Sequence, residues 1–296
     1  MHMRVLVAGS SGLIGSALLD QLRGSGHEVR RLVRRMPRSA DEYGWDPPAG
    51  RIDDGAFDGV DAVVNLCGSP LASGRWSEAR KQLLTDSRLE PTEVLAEAVA
   101  DHGVGALLNA SGINYYGDTG SAEVDESAGA GSGFLAGLCV AWEAATTPAT
   151  KAGARVVLLR TAPVLSSRGG MLGMLLPLFR LGLGARLGGG SQYLPWISLR
   201  DQVSAISFLL QRADIAGAVN LTSPNPVTNA EFTRELARAV HRPAPWFVPA
   251  PALKAALGQA AEEMLLGGPR AVPGVLRDAG FDFADRRLDD ALALVV

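Results

Sequence analysis

The sequence predicts an α/β fold: a doubly wound parallel Rossmann sheet with a smaller C-terminal region on the substrate side. Two observations predict it. Short apolar runs alternate with helical or turn-rich stretches, and a glycine-rich turn follows the first run directly. Such alternation is typical of parallel strands joined by helical crossovers, which place ligands at the carboxyl ends of the strands. The predicted strands are 4–8, 28–33, 60–66, 106–110 and 155–160.

The composition predicts a soluble globular protein. Of the 296 residues, 47% are hydrophobic and 20% are charged, with a net charge of −3. That balance excludes a disordered chain and leaves no basic face for nucleic acid or an anionic membrane. No apolar run approaches the roughly 20 residues of a membrane span, and the apolar N-terminus is interpreted as a strand rather than a signal peptide. Since only Cys67 and Cys139 are present, we expect a reducing, cytoplasmic environment. The expected partner is a small-molecule substrate, and a homodimer is left open.

The first predicted strand leads into a turn with three glycines at intervals of three residues. Gly9 permits a turn that a Cβ would obstruct, Gly12 lets the backbone approach a phosphate, and Gly15 lets a helix lie near the strand. The helix predicted over 16–23 presents unpaired amides and the positive end of its dipole to an anion. Strand, glycine turn and helix in this order predict a dinucleotide site. Its residues are Gly9, Ser10, Ser11, Gly12, Leu13, Ile14 and Gly15.

The end of the second predicted strand indicates which dinucleotide binds. An NAD site usually has an acidic residue there, which accepts hydrogen bonds from the adenosine ribose. Val33 occupies that position here, and Arg34 follows with a planar cation suited to a 2′-phosphate. The alternative is that Arg34, Arg35 and Arg38 form a solvated basic edge. We favour the phosphate role, which makes the expected cofactor NADP.

The third predicted strand ends in Leu66, Cys67 and Gly68, which are expected to pass beside the pyrophosphate or ribose of the cofactor. Buried cysteines commonly act as small hydrophobic residues, so we favour that interpretation of Cys67 over a redox role. Helices are predicted at 78–84 and 93–100.

Motifs along nearly the whole chain resemble one enzyme group. The Gly-x-x-Gly-x-x-Gly spacing resembles the short-chain dehydrogenase/reductase superfamily, in particular its extended, epimerase-like branch. Further motifs resemble an atypical subfamily of that branch, described as NADP-dependent oxidoreductases or sugar-nucleotide epimerases with a small C-terminal domain of unassigned function. These motifs are Arg75-Trp76, Ser87-Arg88, Tyr115-Tyr116-Gly117, 134–139, Trp142-Glu143, Arg168-Gly169-Gly170, Gly182-Leu183-Gly184, 265–268, Pro273 and Gly280-Phe281.

The resemblance also implies where a substrate binds. In the extended branch, Gly-rich segments leave the sheet and form the substrate pocket, and 163–200 contains such segments. We therefore expect an NADP-binding domain over 1–240 that includes them, and a small, mainly helical C-terminal domain over 241–296. Prolines within 243–251 mark a turn or crossover, and 252–267 has the pattern of an amphipathic helix. The expected pocket residues are Arg168, Gln192, Tyr193 and Trp196.

One catalytic feature that the resemblance implies is missing. Ordinary members of the superfamily use a Tyr-x-x-x-Lys pair, in which the lysine favours the phenolate and the tyrosine exchanges a proton with the substrate. No tyrosine of this chain has a lysine four residues later, and alignment on Glu143 puts Leu135 and Cys139 at the two positions. With Leu138 and Trp142 these residues form a helical stripe, which predicts core packing. A catalytic thiol at Cys139 is the less favoured alternative.

Other groups near the fourth predicted strand are candidates for proton transfer. Ser111 lies close to the position of the superfamily's substrate-orienting serine, although one residue out of register, and Tyr115 and Tyr116 follow on a loop. A free phenol has a pKa of about 10, so either tyrosine needs a nearby cation to act near neutral pH. Arg88 takes the position of an asparagine that lies beside the cofactor in the extended branch, and it is the expected cation. The alternatives are that Tyr116 packs under the loop and that Arg88 only binds phosphate.

A second departure lies at 196–201. Relatives tend to have Trp-Ile-His-x-Asp-Asp where this chain has Trp-Ile-Ser-Leu-Arg-Asp, a change that either retunes the substrate pocket or reflects surface drift. No histidine falls at the pocket end of a predicted strand, so we expect neither a histidine base nor a metal site.

Two functions remain open. The first is an NADP-dependent oxidoreductase or epimerase that acts on a small carbonyl or a nucleotide-linked sugar. The second is a catalytically silent NADP-binding sensor. The missing Tyr/Lys pair favours the second function, whereas the expected substrate pocket favours the first, which we prefer.

Overall fold

The chain folds around an eight-stranded sheet with helices on both faces. We describe it from a computed structural model, which describes residues 2–72 and 74–296. Its strands are β1 (Arg4–Ala8), β2 (Glu28–Val33), β3 (Glu42–Asp46), β4 (Arg51–Ile52), β5 (Ala62–Asn65), β6 (Ala106–Gly112), β7 (Glu123–Val124), β8 (Arg155–Thr161), β9 (Val164–Leu165), β10 (Ala185–Leu187), β11 (Tyr193–Leu194), β12 (Ile197–Ser198), β13 (Gly217–Leu221), β14 (Val227–Thr228), β15 (Trp246–Val248) and β16 (Arg270–Ala271).

Helices connect most of these strands. Short 3-10 turns cover Pro47–Ala49 and Ile113–Tyr116. Within the described residues, no helix combines the length and apolarity that crossing a membrane requires. The α-helices are α1 (Leu13–Gly24), α2 (Glu78–Asp101), α3 (Phe134–Ala144), α4 (Thr147–Lys151), α5 (Gly170–Arg180), α6 (Leu199–Gln211), α7 (Asn229–Ala239), α8 (Ala250–Leu257), α9 (Gln259–Met264), α10 (Gly274–Asp278) and α11 (Leu288–Ala293).

The order of the strands confirms the predicted doubly wound parallel sheet. It runs β13-β8-β6-β5-β1-β2-β3-β4, and every neighbouring pair is parallel except β3–β4. The chain first winds outward from β1 through β2 and β3, then returns to the other side of β1 with β5. A reversal of this kind opens a crevice at the carboxyl ends of the strands, where such folds bind ligands. We call this side of the sheet the carboxyl edge.

Two apolar layers hold the helices against the sheet. Successive side chains of a strand point to opposite faces, so Val5 packs in one layer and Leu6 in the other. The first layer buries Leu22 of α1 and Ile206 of α6, and the second buries Leu95 of α2. Full burial of each such side chain contributes about 1.5–3 kcal/mol.

Several elements differ from the sequence-based expectations. The two helices predicted at 78–84 and 93–100 are one helix, α2, which continues through Pro91. A proline inside a helix costs about 3 kcal/mol, and the buried apolar face of α2 offsets that cost. The single helix predicted over 252–267 is instead α8 and α9, separated at Gly258 with φ +61. The sheet also contains three strands that were not predicted: β3 and β4 at one edge, and β13, which extends the sheet beyond β8.

Candidate functional site

The glycine turn joins β1 to α1 at the carboxyl edge, and its first and third glycines are required by the protein itself. Gly9 has φ +77, and a Cβ there would lie 2.7 Å from the carbonyl carbon and oxygen of Leu66. A Cβ on Gly15 would overlap the Gly9 carbonyl oxygen and lie 2.8 Å from the Ser10 Cα. Backbone atoms on both sides therefore exclude any larger residue at these two positions.

Gly12 has a different environment. The nearest described atom to a Cβ placed there would be the Gly9 carbonyl oxygen at 3.4 Å, which is ordinary contact. Its φ of −74 is accessible to every residue. The packing of the chain therefore does not require glycine at this position, and the space beside its backbone is open. Such an open approach is what a pyrophosphate needs at the start of a helix.

The N-terminus of α1 faces this space without a protein partner. No described side chain caps its first-turn amides, and the turn carries no acidic residue. Ser11 and Gly12 are exposed, Leu13 and Ile14 are half-buried, and Ser10 is buried. The partial positive charge at this helix end is thus available to an anion.

Arg34 follows β2 at the same edge. It is exposed, and its guanidinium has no hydrogen-bond or ion-pair partner among the described residues. The neighbouring Arg31 and Arg35 both bind the carboxylate of Glu42, at 2.9 and 2.6 Å. Hydrogen bonds from Arg35 and from the Arg38 amide hold the pKa of Glu42 at about 2. Glu42 thus neutralises part of the basic cluster and leaves Arg34 available to an external anion.

The segment after β5 lies against the glycine turn. The Cys67 amide donates to Asn65 Oδ1 at 3.1 Å. Burial raises the pKa of the Cys67 thiol to about 12, although the nearby charge of Arg34 acts in the opposite direction. The thiol is therefore protonated at neutral pH, and Cys67 packs partly buried against the core as a small hydrophobic residue rather than a redox group.

Arg88 supports this segment from the interior. Its guanidinium donates to the carbonyl oxygens of Leu84 and Ser69, at 3.0 Å each, and lies 5.1 Å from the Trp142 ring centroid. A Cβ on Gly68 would lie 3.3 Å from Arg88 Cζ. Burial lowers the pKa of Arg88 to about 10, so it remains a cation at neutral pH. Arg88 thus fixes the loop that borders the glycine turn.

The cation beside the two phenols is Arg160, which corrects the expectation that Arg88 takes that place. Its Cζ lies 3.4 Å from the ring centroid of Tyr115, and its Nη1 donates to the hydroxyl of Tyr116 at 2.9 Å. Arg160 stands near the carboxyl end of β8, directly opposite Ser111 of β6. Burial by itself lowers the pKa of Arg160, but hydrogen bonds with Glu143 and Tyr116 raise it above its ordinary value.

Glu143 of α3 organises this cluster. Its carboxylate accepts from Arg160 Nε and Nη2 at 2.8 and 2.9 Å, and from the Ser111 hydroxyl at 2.7 Å. A bidentate pair of this kind fixes the plane of the guanidinium as well as its position. The Ser111 side chain is buried and donates to Glu143, so its hydroxyl is engaged within the protein.

The two tyrosines have different environments. Tyr116 is buried, and its hydroxyl donates to Asn220 Oδ1 at 2.8 Å while it accepts from Arg160. Burial raises the pKa of Tyr116 above its ordinary value, despite the opposing effect of Arg160. Tyr115 is half-buried, and its hydroxyl reaches solvent without a hydrogen-bond partner among the residues that the structure describes. Only Tyr115 of this pair therefore presents a free hydroxyl.

Leu135 and Cys139 pack into the protein interior, as the helical stripe predicts. Leu135 packs against Trp76 and Leu138. The Cys139 thiol lies 3.6 Å from the Gly112 carbonyl oxygen, and burial raises its pKa to about 11. The two positions aligned with the missing Tyr/Lys pair thus carry no group that titrates near neutral pH.

One of the four expected pocket residues, Trp196, does not face an open surface. Arg168 is exposed with an unpartnered guanidinium among the described residues, and Tyr193 is half-buried beside Arg270. Trp196 is instead fully buried in an apolar cluster with α5 and α7, and its indole donates to the Asn225 carbonyl oxygen at 3.2 Å. The bulk of its ring explains this placement, since it fills the space between the two helices.

Gln192 connects two segments of the backbone. Its side-chain amide donates to the carbonyl oxygens of Leu187 and Leu265, at 3.0 and 2.8 Å. The structure therefore gives it a contact with the C-terminal region rather than an open amide.

The unusual segment at 196–201 fastens the C-terminal region to α6. Asp201 Oδ1 and Oδ2 accept the amides of Ala284 and Asp285 at 2.9 Å each, and Arg200 pairs with the Asp285 carboxylate at 2.7 Å. Ser198 caps the same helix, since its hydroxyl accepts the Asp201 amide at 3.1 Å. Arg200 and Asp201 of this segment thus bind the C-terminal region.

Sequence reasoning did not identify Arg160, Glu143 or Asn220 as parts of a cluster. A weak signal was present, because Arg160 directly follows the apolar run 156–159 of β8 and Glu143 is the single acid of α3. Their convergence depends on the pairing of β6 with β8, which the local pattern does not specify.

The sequence of this chain matches known protein families and a curated relative. Residues 5–222 match the NAD dependent epimerase/dehydratase family, and residues 248–295 match a domain of unknown function, DUF1731. An epimerase family protein of Mycobacterium bovis, Mb2239, is 56% identical over 97% of this chain and 96% of its own length.

Two solved structures share the fold. The human epimerase family protein SDR39U1, crystallised with NADPH, is 33% identical with a TM-score of 0.90 over 99% of both chains. A nucleoside-diphosphate sugar epimerase of Corynebacterium glutamicum is 34% identical with a TM-score of 0.82. The match covers 99% of this chain but 58% of the Corynebacterium protein, so the chain spans little more than half of that relative.

Proposed function

The chain belongs to the NAD dependent epimerase/dehydratase family, and on that premise we propose that it is an NADP-dependent oxidoreductase or epimerase. The proposed substrate is a small carbonyl compound or a nucleotide-linked sugar. The glycine turn, Arg34 and the Tyr115–Arg160 pair support this proposal because all lie at or just beyond the carboxyl ends of strands in one sheet.

The residues at the edge fit a dinucleotide with a 2′-phosphate. The turn from Gly9 to Gly15 and the uncapped start of α1 would hold the pyrophosphate, and Arg34 would bind the 2′-phosphate. The presence of NADPH in the human relative's structure supports this assignment. When bound, a reduced nicotinamide supplies a hydride to a carbonyl carbon, and the protein must supply the matching proton.

Tyr115 is the proposed source of that proton, and its free hydroxyl beside Arg160 is the observation that carries the proposal. As the C=O bond becomes a C–O single bond, the Tyr115 hydroxyl gives its proton to the carbonyl oxygen and is left as a phenolate. The Arg160 guanidinium, whose Cζ lies 3.4 Å from the ring centroid, stabilises the negative charge of the phenolate. Solvent then returns a proton to Tyr115. In the oxidative direction the same groups act in reverse.

Tyr116 supports the site without transferring the proton. Its hydroxyl is enclosed between Arg160 and Asn220, and burial keeps its pKa above the ordinary value. It therefore anchors the guanidinium that lies against Tyr115.

The test is NADPH oxidation by the purified protein against a panel of small carbonyls and nucleotide-linked sugars. We expect Tyr115→Phe to lower kcat by about 10²–10⁴-fold with NADPH affinity unchanged, because one general acid is lost. Tyr116→Phe is the matched comparison: it removes one hydrogen bond to Arg160, which Glu143 still holds, so it should lower kcat much less than Tyr115→Phe does. Full activity in Tyr115→Phe would overturn the proton role.

A catalytically silent NADP-binding sensor is the second candidate, and one observation favours it. Leu135 and Cys139, at the positions of the missing catalytic pair, are 3% and 4% exposed and bear no group that ionises near neutral pH. Tight NADPH binding without turnover of any panel member would favour this candidate over the enzyme.

A further inference from the structure

The C-terminal region supplies the cap of helix α3. This helix has no cap of its own, since it begins after Gly133 with φ +103 and carries no acidic residue in its first turn. Glu263 of α9 takes that role: its Oε1 accepts the Phe134 amide at 3.0 Å, and its Oε2 accepts the Leu135 amide at 2.7 Å. A carboxylate at this end also complements the helix dipole. Gln259 donates to the same Oε1 at 2.7 Å and fixes the orientation of the carboxylate.

The capped helix carries the carboxylate that orients Arg160. Glu143 stands in the last turn of α3, where its carboxylate accepts from Nε and Nη2 on one edge of the Arg160 guanidinium and from the Ser111 hydroxyl. Phe134 and Glu143 belong to one helix of eleven residues, whose successive turns are joined by backbone hydrogen bonds, so we expect a shift at its start to displace Glu143 as well. A contact at Glu263 therefore bears on the position of the cation that lies against Tyr115.

A second line of contacts reaches the same cluster through Asn220. Its side-chain amide donates to the Val272 carbonyl oxygen at 2.9 Å, and its Oδ1 accepts the Tyr116 hydroxyl at 2.8 Å. The Glu126 carboxylate accepts the amides of Asn220 and Val275, at 2.8 and 3.2 Å. The C-terminal region thus fixes the partner of Tyr116 from two sides.

The loop between Tyr116 and α3 is also paired directly with the C-terminal region. Strand β16 runs parallel to β7, with Arg270 opposite Glu123 and Ala271 opposite Val124. The Arg270 amide donates to the Thr119 hydroxyl at 3.0 Å. These contacts lie beside the tyrosine loop, by which we mean residues 113–124, and include neither phenol.

We propose that Glu263 is a positioning residue for the Tyr115–Arg160 pair, and that the C-terminal segment 263–275 holds the tyrosine loop in its working geometry. This assigns a role to part of the region that matches a domain of unknown function. The effect of Glu263 on proton transfer by Tyr115 rests on the proposed function, whereas its effect on the positions of Tyr115 and Arg160 does not.

The test follows the tyrosine rings by NMR in protein labelled with ¹³C at tyrosine, which is tractable because the chain has four tyrosines. We expect Glu263→Ala to shift or broaden the Tyr115 and Tyr116 resonances while Tyr43, on β3, keeps its native position. Glu262→Ala is the matched control, since Glu262 pairs with Lys254 on the surface and is 54% exposed. It should leave all four resonances unchanged.

Glu263→Gln tests whether the effect of Glu263→Ala comes merely from unfolding, because glutamine keeps the side-chain volume and one acceptor oxygen. Its Tyr115 and Tyr116 resonances should lie between those of the native protein and Glu263→Ala, which a nonspecific loss of structure would not produce. Native resonance positions in both Glu263 variants would overturn the proposal. Shifted resonances combined with full activity of Tyr115→Phe would uphold the positioning role and reject the proton role, so the two failures are distinguishable.

Discussion

Replacing Gly12 by valine should abolish dinucleotide binding and leave the fold intact. A Cβ at Gly12 would meet only the Gly9 carbonyl oxygen at 3.4 Å, so the packed protein accommodates it. The residual cost is the poorer N-cap, about 1 kcal/mol, since glycine is preferred to valine at that position. For a chain of this size such a loss lowers Tm by roughly 2–4 °C. The valine methyls instead occupy the space through which a pyrophosphate reaches the backbone.

The size of the loss in NADPH affinity distinguishes exclusion of the pyrophosphate from a general loss of protein stability. Exclusion of the pyrophosphate should raise the Kd for NADPH at least a hundredfold, which corresponds to about 2.7 kcal/mol. Fluorescence titration of NADPH, alongside thermal unfolding of each variant, measures both quantities. An unchanged titration curve for a folded Gly12→Val protein would show that the glycine turn is not the cofactor site.

Gly15→Ala provides the contrast within the same turn. Its Cβ would overlap the Gly9 carbonyl oxygen, so the helix and the turn must separate. Overpacking of this kind costs about 1–3 kcal/mol or more. We therefore expect a clear loss of Tm in Gly15→Ala, in contrast to the nearly native Tm of Gly12→Val. Equal stabilities of the two variants would refute the distinction between a glycine required for packing and one required for a ligand.

Two further predictions concern the basic cluster after β2. NADPH should bind at least tenfold more tightly than NADH, because a charge-assisted contact with Arg34 is worth about 1.5–3 kcal/mol, and titration of Arg34→Ala with both dinucleotides should show that preference lost; equal affinities in the native protein would contradict it. Glu42 has its pKa held at about 2, below the ordinary 4.5, so its ionised form stabilises the fold fully above pH 4.5 and this contribution is lost as the pH falls through about 2. Tm should therefore decline over that window, and Glu42→Gln should flatten the decline; a native profile in Glu42→Gln would show that the buried carboxylate is not responsible.

The first strand and the glycine turn could be predicted from the sequence because the residues that form them are contiguous in the chain. The run at 4–8 and the three glycines that follow specify strand, turn and helix within one short window, and the structure has β1 at those residues. The continuity of α2 through Pro91 could not be predicted in this way. The helix is stabilised by the burial of residues such as Leu95 and Val99 against the sheet. That burial depends on strands far away in the chain.

The phenol cluster shows the same limit at the candidate site. Tyr115 and Tyr116 were identified from their place after a strand, but the cation beside them comes from β8 and its carboxylate partner from α3. Arg88 was the expected cation because its position corresponds to an asparagine that lies beside the cofactor in the extended branch. Only the register of β6 against β8, with Ser111 opposite Arg160, decides which arginine reaches the rings.

The same cluster gives a physical reason why α3 lacks a lysine. The Cys139 thiol lies 3.6 Å from the Gly112 carbonyl oxygen in a buried space already influenced by the charges of Glu143 and Arg88. Burial lowers the pKa of Arg88 to about 10, so that space is already unfavourable to cations. A lysine there would be a further buried charge, while Glu143 is already committed to Arg160. A small neutral residue at 139 is therefore the consequence of placing the cation on the neighbouring strand, where it contacts the tyrosines of the loop.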